Sequence, residues 1–341
     1  INNMRNIAFI VTKSEIGGAQ TWTNEMMKLV RDGNRVHLIT SENGWLTQQE
    51  NYDELLILPE LKKHFSIFGY FKLLMYIKKE KILVMVASSA NAGIYSRMAK
   101  LFSNYKCIYV SHGWSCIYNG GTLKSVFIKI EKYLSLLTDV VWCVSKSDAK
   151  KATDVIGIRT DKIVTLTNSV PGVKPREKRE NNNHIVFVGR LTHPKRPELL
   201  MSVVAKHPDL QLDIIGGGER LEELKRQFKK YPNIRFLGEI QNFNDYANYD
   251  VFALISDSEG LPMSALEAHT AGLPMLLSDV GGCNELITNN GLLVVNEYDV
   301  IEDNLLKLIH DYESYFNCAQ VEKNKFELNS YKNAYSNLIL S

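Results

Sequence analysis

The sequence predicts an α/β protein made of two doubly wound parallel-sheet domains joined by a short irregular segment. Three observations predict it. Short runs rich in Val and Ile alternate with amphipathic stretches of helical length. Those runs are almost continuously apolar, as strands covered on both faces are. The alternation breaks once, at residues 168–184, and then starts again. A chain of 341 residues suits two domains of ordinary size.

Residues 5–12 read as the first strand, followed by a turn at Gly17-Gly18 and a helix over 20–32. Gly33 sits where a helix C-cap is expected, ahead of a strand at 35–40. Further strands are expected at 82–87, 106–110, 140–144 and 163–166, with Ser145 as the N-cap of the helix that follows the 140–144 run. Residues 168–184 (NSVPGVKPREKRENNNH) hold two prolines, four basic residues and a run of asparagines without periodicity, and read as a linker or hinge. Beyond it come strands at 185–189, 210–215, 234–237, 251–256 and 275–278. The helices expected there start at Pro197, span 219–230 and span 262–271, and a polar helical tail begins at Asp299. Pro197 and Pro262 both fall where a first helical turn tolerates a missing N–H. The expected boundaries are 1–168 for the first domain, 169–184 for the linker and 185–317 for the second. The tail, about 318–341, is expected to pack back on the first domain. Sheets of this kind take ligands at the carboxyl ends of their strands.

Composition excludes several classes. At 45% hydrophobic and 23% charged residues the chain is neither disordered nor fibrous. No run approaches the roughly 18 to 20 apolar residues of a membrane span, and the first residues lack a signal-peptide pattern. The chain begins at Ile1 rather than Met, which we read as trimming. Five cysteines (Cys107, Cys116, Cys143, Cys283, Cys318) make an odd number with no CxxC pair. A reducing cytoplasm is therefore expected rather than a disulfide framework or a zinc ribbon. The net charge of +2 conceals an asymmetry: residues 1–170 carry 22 basic and 14 acidic side chains, and the remainder 18 and 24. The first half is expected to meet something anionic, either nucleic acid or an acidic membrane surface.

The most informative segment runs from Ser256 to Ala268 (SDSEGLPMSALEA), from a buried strand straight into a helix. The free N–H groups and dipole of that first turn favour an anion. Glu259 precedes the helix and Glu267 lies on it. Acids on either side of a phosphate-binding turn can accept hydrogen bonds from flanking hydroxyls, such as those of a nucleotide sugar. An ordinary N-terminal acid and a surface Glu are the plainer alternative, and the small apolar run around Glu267 argues against it. In VFVGRL followed by Lys195, Arg190 and Lys195 fall at the carboxyl end of the second domain's first strand. Arg offers a fork and Lys a point charge to a diphosphate. The IGGGE run at 215–219 has the look of a dinucleotide-binding turn, but its third glycine position is Leu221 and it lies in the wrong domain. We read it as a turn that closes over the donor cleft.

Together the strand-GR-x4-K pattern, the E-x7-E pair (Glu259, Glu267), the Gly17-Gly18 loop and the His112-Gly113 pair resemble retaining glycosyltransferases of family GT4. The resemblance covers nearly the whole chain. It implies the GT-B fold, two Rossmann-like domains facing each other across a cleft, and transfer of a sugar from a nucleoside diphosphate, with UDP-hexose or UDP-HexNAc favoured. By that resemblance Gly17 and Gly18 let backbone approach the donor diphosphate, and His112 sits beside the transferred sugar. Arg190 and Lys195 neutralise the leaving diphosphate, and Glu259 holds sugar hydroxyls. Gly260, Leu261, Pro262, Met263 and Ser264 line the site, the last four residues of that run offering backbone amides. Glu267 binds the ribose, and Glu239 and Ile240 lie beside the base. The catalytic set is then His112, Arg190, Lys195 and Glu259. No Asp-x-Asp occurs in the chain, which fits metal-independent chemistry; no cofactor and no dedicated base are expected. Asn168-Ser169-Val170-Pro171 and His269-Thr270 depart from the family's usual residues at the hinge and behind Glu267. The rivals are a GT-B-type nucleotide-sugar 2-epimerase and a catalytically idle nucleotide-sugar-binding subunit.

Residues 62–81 interleave Lys62, Lys63, Lys72, Lys78, Lys79 and Lys81 with Phe65, Phe68, Tyr70, Phe71 and Tyr76, and 123–137 repeat the theme. Basic helices with aromatics suit an anionic leaflet. Peripheral contact with the inner face of the plasma membrane is expected, next to a glycan or lipid-linked acceptor, and nucleic acid is not, since no binding module for it is present.

Overall fold

The computed structural model describes residues 4–118, 121–178 and 180–341, so Arg179 of the expected linker lies outside the described residues. The chain divides into two compact units, one of residues 1–167 with 331–341 and one of residues 168–330.

The first unit is a seven-stranded parallel sheet in the order β3-β2-β1-β4-β5-β6-β7. Its strands are β1 (Arg5–Ile10), β2 (Asn34–Thr40), β3 (Glu54–Ile57), β4 (Val84–Ala87), β5 (Lys106–Ser111), β6 (Val140–Cys143) and β7 (Ile163–Thr165). The second is a six-stranded parallel sheet ordered β10-β9-β8-β11-β12-β13. It uses β8 (His184–Val188), β9 (Gln211–Ile215), β10 (Ile234–Gly238), β11 (Val251–Leu254), β12 (Met275–Ser278) and β13 (Gly291–Val294). Both orders reverse direction once, between β1 and β4 and between β8 and β11. Ligands of open α/β sheets bind at that switch point, outside the carboxyl ends of the strands.

The central strands fall where their apolar runs lie. Two edge strands, β3 and β13, are absent from the sequence-based expectation. Each has four residues and a partner on one side only. All four residues of β3 are half-exposed, as suits an edge, although Leu55 to Leu58 are all apolar. Ser145 caps its helix as expected, its hydroxyl accepting the Asp148 N–H at 3.0 Å. Pro197 opens its helix, whereas Pro262 stands one residue ahead of helix Met263–Thr270.

Right-handed crossovers put helices Ile67–Glu80, Ala90–Ala99 and Lys124–Leu136 on one face of the first sheet, and helix Gly18–Val30 on the other. Under the three helices Leu61, Tyr70, Leu73, Tyr95 and Cys107 share one core with Cys143 and Ile156. Arg97 is buried there. It forms a two-pronged pair with Glu131, at 2.8 and 3.3 Å, and its guanidinium lies 4.0 Å from the centre of the Tyr109 ring. On the opposite face Trp22 meets Trp142 edge-on at 5.1 Å, and Trp142 meets Tyr335 at 5.2 Å. The Tyr335 hydroxyl donates to the Thr167 carbonyl.

Among the described residues of 168–183 none belongs to a helix or a strand, yet they are fixed to the second unit. Arg176 is buried. Its N–H donates to Ala271 O at 2.8 Å, and its guanidinium reaches Ala247 O, Glu180 O and the Asp250 carboxylate. Asp250 also accepts the N–H groups of Asn182 and His184 at 3.0 and 2.8 Å. One carboxylate ahead of β11 thus gathers the segment that leads into β8. Among the described residues no helix is long and apolar enough to cross a membrane.

Removing one partner of a buried ion pair leaves the other charge without compensation, which costs about 3–5 kcal/mol. Glu131→Ala should destabilise the chain by that order in urea unfolding, and the double variant Arg97→Met/Glu131→Leu should recover most of the loss.

Candidate active site

In the second unit the residues singled out by sequence converge at the ends of β8 and β11. Residues 194–196 lie along 255–257: Arg196 N–H donates to Ile255 O at 2.8 Å, Asp257 N–H donates to Pro194 O at 2.9 Å, and Lys195 bridges Ser256. This brings the Lys195 ammonium onto the Glu259 carboxylate, with both side chains mostly buried. The support behind the pair is polar and ordered. Ser256 N–H donates to Ser278 Oγ at 2.9 Å, and Ser278 Oγ donates to Asn296 Oδ1 at 2.6 Å. Asn296 Nδ2 donates in turn to Ser256 O at 2.8 Å. Arg190 stands exposed on the loop after β8.

Gly260, Leu261, Pro262 and Met263 are buried, and Ser264 is half-exposed. The N–H groups of Met263, Ser264 and Ala265 have no acceptor within their own helix, as at any helix start. Asn168 Nδ2 holds this turn from behind, donating to Leu261 O at 3.2 Å. Glu267, half-buried on the helix, accepts from the Tyr246 hydroxyl at 2.7 Å. Burial, and then the neighbouring Glu267 charge, holds the Tyr246 phenol well above its ordinary pKa, so it stays a donor.

Glycines allow the loops to meet. Gly281 has φ +54°, and a Cβ there would fall 1.7 Å from Glu259 O; Gly282 N–H donates to Gly260 O at 2.7 Å. Gly216 has φ +145°, and its Cβ would lie 1.9 Å from Gly189 O. Leu191 N–H donates to Gly217 O at 2.7 Å. The 216–218 run, read from sequence as a turn over the cleft, packs edge-on against the loop that carries Arg190. Glu239 and Ile240 are exposed after β10, and a Cβ on Gly217 would lie 3.0 Å from Glu239 Oε2.

In the first unit Gly17 precedes helix Gly18–Val30, and its carbonyl accepts from Thr21 N–H at 2.9 Å. His112 follows β5. Its ring meets Trp22 edge-on at 5.2 Å and 70°, so one tryptophan links the His112 turn to the helix that Gly18 opens. Part of the His112 ring is accessible, but its Nε2 is enclosed and has no hydrogen-bond partner among the described residues.

Sequence reasoning missed Tyr246, Trp22, Asn296 and the Gly281-Gly282 pair. Only the glycines carried a signal, a Gly-Gly in the loop that follows a strand, as at Gly17-Gly18.

The description "Glycosyltransferase Family 4" matches residues 16–171, and "Glycosyl transferases group 1" matches residues 173–325. The O-antigen biosynthesis glycosyltransferase WbnH of Escherichia coli is 56% identical over 99% of this chain and 100% of its own length. The chain belongs to glycosyltransferase family 4. A further Escherichia coli relative is the UDP-Gal:alpha-D-GlcNAc-diphosphoundecaprenol alpha-1,3-galactosyltransferase, 27% identical over 81% of this chain and 80% of that one. Among solved structures, Anabaena HepE in complex with UDP and glucose superposes with a TM-score of 0.85 at 17% identity. That match covers 98% of this chain and 99% of HepE, and it shows the GT-B fold.

Three imidazoles of this glycosyltransferase are pushed below their ordinary pKa, and burial is the leading cause for each, His37 in β2 being the one away from the candidate site. Burial pushes His112 down to about 4; burial, and then the Lys325 charge, does the same to His269, which is packed edge-on against Phe326 behind the Glu267 helix. Unfolded imidazoles titrate near 6.5, so the unfolded state takes up protons first. Stability should therefore be flat above pH 6.5 and fall as pH drops from about 6.5 to about 4. Denaturant titrations across that range should give a slope that His269→Gln reduces, with His37 and His112 supplying what remains. Gly281→Ala, placed in left-handed backbone against Glu259 O, should cost at least about 1–2 kcal/mol. A change under 0.5 kcal/mol in the same titrations would show that the two loops do not meet.

Proposed function

We propose that the chain transfers a hexose or N-acetylhexosamine from a UDP-sugar, with retention at the anomeric carbon and without a metal. The acceptor is a glycan or lipid-linked saccharide in surface-polysaccharide synthesis, at the cytoplasmic face of the membrane. The observation that carries this reading is the Lys195–Glu259 pair, buried beside the Gly260–Ser264 turn at the switch point of the second sheet. The full-length likeness to WbnH supports surface polysaccharide as the product class, and the UDP-bound fold relative supports the base.

Departure of a nucleoside diphosphate develops negative charge on its terminal phosphate. Cations preplaced there act on the transition state more than on the ground state. Arg190 and Lys195 take that role, and the helix-start amides at Met263 and Ser264 add to it. Glu259 accepts hydroxyls of the transferred sugar once Lys195 turns to phosphate. Glu267, fixed by Tyr246, accepts the ribose hydroxyls. Neutral His112 positions the sugar. The acceptor attacks from the face the diphosphate leaves, and a phosphate oxygen takes its proton, so no separate base is needed.

Thermal melting with UDP, GDP, ADP and their sugar conjugates tests the reading. At 100 times Kd a ligand adds about 2.7 kcal/mol of stability. UDP compounds should raise the melting temperature equally with and without EDTA. Lys195→Ala should cut kcat by about 10²–10³-fold, and Glu267→Ala and Tyr246→Phe should chiefly weaken donor binding. Free UDP with a rearranged sugar and no acceptor product would identify an epimerase, and donor binding without turnover an idle subunit. No shift with any nucleotide would sink the transferase reading.

A further inference from the structure

The first unit carries an apolar surface that its own fold leaves uncovered. On helix Ile67–Glu80 the inward positions Tyr70, Leu73, Leu74 and Ile77 fill the core, while Ile67, Phe68, Phe71 and Met75 point to solvent. Phe68 is 76% exposed and Met75 70%. Helix Lys124–Leu136 repeats the pattern, exposing Val126, Ile130, Tyr133 and Leu136. The two helices lie on the same face of the sheet, each packed on helix Ala90–Ala99, and the His64 ring just ahead of the first comes within 5.9 Å of the Phe127 ring near the start of the second. Helices that follow strands begin at the carboxyl end of the sheet, so this meeting point lies at the end that carries Gly17 and His112.

The surface is also basic. Residues 59–83 and 121–137 hold nine lysines against Glu60, Glu80 and Glu131. Each of those acids is already paired, with Lys72, Lys79 and Arg97 respectively. Lys63, Lys78, Lys81, Lys124, Lys129 and Lys132 make no side-chain hydrogen bond or ion pair among the described residues. A large exposed apolar patch marks an interaction site. A second copy of the chain is a poor occupant, because a two-fold contact would set the same lysines against each other. Apolar side chains ringed by unpaired lysines fit an interface that is apolar inside and anionic at its rim.

We propose that the outer faces of helices Ile67–Glu80 and Lys124–Leu136 seat the first unit on an anionic lipid bilayer. Phe68, Phe71 and Met75 enter the acyl boundary, and the lysines lie among the headgroups. The seat is argued from the surface alone and stands whether or not the transferase reading does.

The test is sedimentation of the full chain with phosphatidylcholine vesicles and with vesicles of phosphatidylcholine and phosphatidylglycerol at 7:3. The chain should sediment with the anionic vesicles only and be released as salt rises. Lys63→Gln, Lys78→Gln and Lys81→Gln should each weaken binding about fivefold. Phe68→Ser/Phe71→Ser should weaken it roughly tenfold or more per side chain with an unchanged melting temperature, since both side chains are largely outside the core. Absence of vesicle binding, or binding the same in both sets of variants, would overturn the proposal. So would concentration-dependent self-association in sedimentation velocity that Phe68→Ser/Phe71→Ser abolishes, since it would assign the face to a second copy.

Discussion

The candidate site depends on how closely backbone can approach backbone at the carboxyl end of the second sheet. Three loops, at 189–191, 216–218 and 259–260, and the 281–282 turn would collide if they bore side chains at the wrong places. Glycine at 216 and 281 removes the Cβ and accepts the positive φ that each meeting needs. Everything chemical in the unit is arranged on that nest. The Lys195–Glu259 pair, the free amides of the helix start and the exposed Arg190 hold their places because the peptide planes beneath them are locked by hydrogen bonds between loops. A rigid first layer of backbone is what permits a few charged side chains to act as fixed electrostatics rather than mobile ones.

The two sheets share a winding order and differ in what they do with it. In the second, the switch point collects charge. In the first it collects glycine and a chain of aromatic contacts, Trp142 to Trp22 to His112, with a histidine whose pKa burial lowers to about 4. The difference follows from composition near the strand ends. Lysine and glutamate follow β8 and β11 as the enclosed pair Lys195–Glu259, whereas Lys13 and Glu15 after β1 pair in the open.

The sequence made the sheet class legible because central strands of a doubly wound sheet are covered on both faces and so read as unbroken apolar runs. It left β3 and β13 hidden although LLIL at 55–58 and LLVV at 292–295 are apolar, since so short a run does not by itself tell a strand from a buried loop or helix segment. Glu259, Glu267, Arg190 and Lys195 were legible because their spacing along two strand-to-helix turns, after β8 and after β11, survives translation into space. Tyr246 was not, since it reaches Glu267 from a short turn before β11 whose sequence, DYAN, carries no pattern. Asn296 likewise acts across some forty residues of chain, and nothing local announces it. Contacts made through tertiary packing leave no periodic trace. The irregular 168–183 segment illustrates the limit from the other side, since its composition suggested a free linker while a single buried arginine, Arg176, anchors it.

The split of the first unit between residues 1–167 and 331–341 sets an order on the making of the protein. A ribosome delivers the seven strands before the whole second unit, and only after that the helical segment whose Tyr335 and Ile339 are fully enclosed. Until then Trp142 lacks its outer neighbour and the Thr167 carbonyl lacks its donor. The portion synthesised first is thus the portion completed last, with a closing contact that spans 168 positions of sequence. Such a long return is slow to find by diffusion, and in the interval the nascent chain presents an aromatic gap, the kind of exposed surface on which chaperones act.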